Sequence, residues 1–84
     1  MDSGLALQEF VEFVVVQLVT DPKQASVRHE KDGEKHVYVV RVASDDMGRI
    51  IGRNGYTISA IRSLLDAAAH KHGIKATLRV DEHE

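Results

Sequence analysis

From residue 3 to about residue 19 the apolar positions recur at helical intervals. Leu7, Phe10, Val11, Val14, Val15 and Leu18 make one broad stripe. Ser3 is placed to cap this helix. Asp21-Pro22 ends it, because proline lacks the N–H that the ladder needs. The β-branched run Val14-Val15-Val16 suits a strand as well. Phe13 and Val16 fall on the opposite face, among Glu9, Glu12 and Thr20, and are either covered by a partner or a loop or simply exposed.

The period then shortens to two. Residues 26–31 and 35–43 read as strands around an Asp32-Gly33 turn. In the second strand Tyr38, Val40 and Val42 share the inner face. Val37, Val39 and Arg41 share the other, which Arg41 marks as the wet one. Ser44-Asp45-Asp46 reads as a helix start, with acidic side chains at the positive end of the dipole. That helix is short, because Gly52 and Gly55 interrupt it. A longer one begins at Tyr56 or Thr57, with Ile58, Ile61, Leu64, Leu65 and Ala68 as its buried stripe and Gly73 as its stop. The last run alternates, with Ile74, Ala76, Leu78 and Val80 inward and Lys75, Thr77, Arg79 and Asp81 outward. The resulting order α-β-β-α-α-β, with the second and last strands parallel through a helical crossover, predicts an α+β two-layer sandwich. Its mixed three-stranded sheet carries the helices on one face.

Composition adds bounds. With 84 residues the chain holds a single domain, core about 5–80 with a frayed acidic tail at 81–84. Cysteine is absent, which removes disulfides and thiolate chemistry and favours a reducing cytoplasm. Glu9 and Glu12 break the first apolar stretch, so it suits neither a signal peptide nor a membrane span. The net charge of −2 hides an asymmetry: residues 1–46 carry five Lys/Arg against nine Asp/Glu, a balance of −4. Residues 47–75 hold Arg49, Arg53, Arg62, Lys71 and Lys75 against Asp66 alone, a balance of +4. This is either a nucleic-acid footprint or the ordinary solvation of two helices.

Within that basic segment lies Met47-Gly48-Arg49-Ile50-Ile51-Gly52-Arg53-Asn54-Gly55-Tyr56-Thr57-Ile58. Two glycines three apart let the chain turn sharply and let a phosphate backbone approach its amides. The start of the following helix favours an anion. Arg53 adds a full charge, and Asn54 offers donors and tolerates left-handed geometry. The spacing fits neither the dinucleotide glycine loop nor a Gly-Lys-Ser/Thr phosphate loop.

The run from Ile50 to Ile58 resembles the I-I-G-x-x-G-x-x-I signature of KH domains, which clamp about four backbone nucleotides with this loop. The element order resembles the type II bacterial KH topology, and the chain as a whole the small stand-alone bacterial KH proteins of the KhpA type. The resemblance implies that Gly52, Arg53, Asn54 and Gly55 hold the sugar-phosphate backbone of single-stranded RNA, with Arg49 and Arg62 flanking the groove. It makes Ile51 and Ile58 the apolar floor, although both also suit pure core. Tyr56 stands where similar sequences often carry a basic residue, and it either stacks on a base or packs at the helix start. The resemblance further implies a homodimer, or a heterodimer with a larger Jag-type (KhpB) protein, in post-transcriptional regulation. It implies no cofactor. A protein-interaction module built on the same scaffold is the alternative, and no feature senses the 2′-hydroxyl that separates RNA from single-stranded DNA. Of the five histidines, His29 and His36 flank the hairpin, while His70 and His72 point to different faces of one helix. No ligand spacing joins them. No nucleophile elbow or carboxylate pair suggests an enzyme.

Overall fold

The computed structural model describes residues 2–81. It contains helix α1 (Ser3–Leu18), strands β1 (Ser26–Asp32) and β2 (Lys35–Arg41), helices α2 (Met47–Ile51) and α3 (Tyr56–Lys71), and strand β3 (Lys75–Val80). The sheet order is β1-β2-β3, with β1 antiparallel and β2 and β3 parallel. This is the predicted α+β arrangement, and β3 reaches its place through α2 and α3.

The inner sheet face meets the apolar stripes of the helices. Leu7, Val11 and Val15 of α1, Ile50 of α2, and Ile58, Ile61, Leu65 and Ala69 of α3 pack with Val27, Tyr38, Val40, Val42 and Leu78. Tyr38 is fully buried, and its hydroxyl donates to Gly4 O at 2.8 Å. Its ring stacks on His29 at 4.8 Å between centroids, and His29 lies edge to edge with His36, centroids 4.9 Å apart, with His29 Nε2 2.7 Å from His36 Nδ1. His29 lies against the bare Cα of Gly4, where a Cβ would come within 2.6 Å of its Cε1. Side chains from the helices also close carbonyls on both edge strands. Gln8 Nε2 donates to Val27 O at 2.9 Å, and Arg62 Nε to Leu78 O at 3.2 Å.

Several local expectations need correcting. The cap of α1 is Asp2, not Ser3: its Oδ1 accepts from the amides of Gly4 (2.9 Å) and Leu5 (3.4 Å). The helix stops at Leu18, before proline requires it, because a distant carboxylate takes the next amides. Asp46 accepts from Thr20 N (3.0 Å), Thr20 Oγ1 (2.8 Å) and Asp21 N (3.0 Å). Asp46 is wholly buried and gives no side-chain cap to α2, so it joins two connections where the sequence suggested a helix cap. The hairpin turn is Gly33-Glu34, one residue later than expected, with Asp32 opposite Lys35. Leu64 is 55% exposed and Ala69 replaces it in the buried stripe of α3. On the outer sheet face Val39 is completely covered, although Arg41 marked that face as wet. Its cross-strand neighbours are Arg28 and Arg79, whose apolar stems can cover it while their charged heads stay in water. Asp81, assigned to the frayed tail, extends the sheet instead: its amide donates to Val40 O at 2.8 Å. The rest of that tail, 82–84, lies outside the described residues.

Candidate nucleic-acid interface

Helix α2 ends where Gly52 N donates to Gly48 O at 2.8 Å, and Gly52 adopts φ 77° and ψ 170°. A Cβ there would collide with the Thr57 side chain and come within 2.8 Å of Thr57 N, so only glycine fits. A single 3-10 turn over Arg53–Gly55 follows, with Gly55 N donating to Gly52 O at 3.1 Å. Asn54 (φ 55°) and Gly55 (φ 75°) are both left-handed. Asparagine is one of the few residues with a side chain that takes this conformation readily. α3 then begins at Tyr56 with no side-chain cap.

The predicted residues therefore form one protruding corner between two helices. Arg53 and Asn54 are exposed at its tip, and their amides donate to no acceptor among the described residues. The two connected helix ends and the guanidinium make this corner suited to an anionic backbone. Tyr56 stands beside it with 70% of its surface exposed, so it does not pack into the helix start. Ile51 is half-buried, whereas Ile58 is only 5% exposed and belongs to the core, leaving little surface for a base. Gly55 lies over Ile58, with its Cβ position 4.0 Å from Ile58 Cγ2.

The flanking arginines are tethered. Arg49 Nη1 donates to Asp45 O at 3.4 Å and lies 3.8 Å from Asp46 Oδ1. Arg62 bridges α3 to the β3 edge through Leu78 O. Sequence reading missed Asp46, which fastens the start of α2, and so the corner it leads to, to the end of α1. The Thr20 amide holds its carboxyl below the usual carboxylate range against the opposing effect of burial, with help from the Thr20 hydroxyl, the Asp21 amide and Arg49. No local pattern reveals such a contact, since its partners lie about 25 residues away.

Among the described residues no three His, Cys, Asp or Glu side chains gather as a metal site, and no helix is long and apolar enough to cross a membrane. Comparison with known proteins gives a consistent relationship. The family described as "KhpA/KhpB, KH domain" matches residues 8–80. A protein of Chlamydia trachomatis named "RNA-binding protein KhpA" is 34% identical over 76 residues, covering 90% of this chain and 97% of that protein. Proteins of the same name from Halalkalibacterium halodurans and Listeria monocytogenes are 36% and 32% identical over 75 and 76 residues, covering 89% and 90% of this chain and 96% and 100% of theirs. The matched span includes every element from the second turn of α1 to β3, with the Gly52–Gly55 corner inside it. The chain belongs to the KhpA/KhpB KH-domain family.

Proposed function

We propose that this chain binds single-stranded RNA by clamping its backbone at the Gly52-Arg53-Asn54-Gly55 corner. The observation that carries this reading is the pair of left-handed residues at a glycine-bounded tip, with Arg53 beside unpaired amides. The name "RNA-binding protein" borne by the relatives supports it, and the family is not an enzyme family. Arg53 and the tip amides hold phosphate. Tyr56 and the exposed part of Ile51 meet bases, Arg49 and Arg62 flank the groove, and Ile58 supports Gly55 from below. One such unit reads about four nucleotides. Useful affinity then needs a second unit, either another copy or a larger Jag-type KhpB partner. Exposed Phe13 and Leu64 leave apolar surface for that pairing. We place the protein in the cytoplasm, in post-transcriptional regulation.

The test is fluorescence anisotropy with a short single-stranded RNA, comparing the wild type with Arg53→Asp plus Asn54→Asp, folded by circular dichroism. Wild-type affinity should fall with salt by roughly 0.7 in log–log slope for each phosphate engaged, and the variant should lose binding. Equal binding by the two proteins would defeat the clamp. It would favour the alternative in which the scaffold serves protein association, which salt does not weaken in this way.

A further inference from the structure

The helices cover one face of the sheet, and the other face is open. The strand register brings Arg28, Lys35, Arg41, Lys75 and Arg79 together on it. The acids among them are Glu30, Asp32 and Asp81, so among the described residues this face carries an excess of two positive charges, on a chain whose net charge is −2.

The guanidiniums are held in a row. Asp81 lies between Arg41 (3.2 Å) and Arg28 (3.5 Å), and Glu30 between Arg28 (3.4 Å) and Arg79 (3.8 Å). Three arginines share two carboxylates, and about half of each arginine side chain or more is exposed. Lys35 and Lys75 are direct cross-strand partners and make no ion pair among the described residues. Exposed ion pairs are weak, and a guanidinium keeps donors free for a phosphate while one carboxylate orients it. Among the described residues no aromatic ring lies on this face: Tyr38, His29 and His36 all belong to the helix side.

The face is continuous with the proposed groove through the edge strand β3. Arg62, from the groove side, donates to Leu78 O, and the next residue of the strand, Arg79, belongs to the open face. Resting on the clamp reading, we infer that the open sheet face is a second, sequence-independent phosphate surface. It receives a single-stranded RNA after the strand leaves the clamp and rounds the β3 edge.

The experiment compares an RNA of about four nucleotides, matched to the clamp, with one of about 16 nucleotides, across a salt series. The longer RNA should show the steeper salt dependence. With two added phosphate contacts the slopes differ by about 1.4, so the ratio of the two affinities should change about sevenfold between about 0.05 and 0.2 M salt. Lys75→Gln plus Arg79→Gln should remove this excess and leave the short RNA unchanged. Glu30→Gln, which frees Arg28 and Arg79 from a carboxylate, should strengthen the long RNA alone, a gain that a merely structural role would not give. Identical slopes for the two lengths would overturn the proposal and leave the face to an acidic protein. Variants that shift both RNAs equally would overturn it as well. Failure of the short RNA to bind the wild type would remove the clamp, and this inference with it.

Discussion

A methyl group added at Gly52 meets the Thr57 side chain and must also hold a positive φ, whereas one added at Gly55 meets only the second demand. Gly48 lies inside α2 with open space where its Cβ would be. The three alanine variants should therefore separate. Gly52→Ala costs about 2 kcal/mol or more, Gly55→Ala costs about 1 kcal/mol, and Gly48→Ala stabilises by about 0.5–1 kcal/mol. Urea denaturation midpoints read all three. The histidine pair makes a second prediction at this scale. His29 Nε2 and His36 Nδ1 are 2.7 Å apart, so one donates and the other accepts, and both cannot be charged without breaking the bond. Burial, then the charges of His29 and Lys31, lower His36 below its ordinary value of 6.5. The unfolded chain thus takes that proton more readily. Stability is complete above about pH 6.5 and is lost as pH falls through the lowered value. Asp46, also lowered, adds a separate loss as pH falls from 3.8. Thermal midpoints from pH 8 to 3 should fall in two steps, and His36→Gln should remove the first alone.

Helix α3 shows what an apolar stripe decides and what it leaves open. Leu65 is 1% exposed and Leu64 is 55% exposed, adjacent residues about 100° apart around the helix. Leu65→Ala should cost about 2–5 kcal/mol, while Leu64→Ala should stay within about 0.5 kcal/mol in the monomer. The same comparison shows how far the sequence could be read. Element order, sheet pairing and the glycine corner all follow from periodicity and turn chemistry, because those signals are local. The end of α1 at Leu18, the role of Asp46 and the covering of Val39 depend on partners far along the chain, and no local pattern carries them. In the candidate site the tip residues were legible as a motif. The core position of Ile58 was not, since an isoleucine after a glycine serves core and groove equally well until the packing is known.

At the scale of the molecule, β3 depends on everything before it. Its parallel pairing with β2 spans the 42–74 crossover, so the segment that forms the corner also closes the sheet. A sheet of three strands has two free edges, and unpaired edges invite other chains to add on. Each edge of this sheet has a guard from a helix: Gln8 on Val27 O and Arg62 on Leu78 O. Removing the second, with Arg62→Ala, should leave the fold intact but increase concentration-dependent light scattering on mild heating, most of all at low net charge near the pI of about 6.2. Arg62 would then hold two posts at once. An RNA that drew it away would unlatch the strand beside the groove, so occupied copies would be the ones more open to strand-to-strand aggregation in a crowded cell.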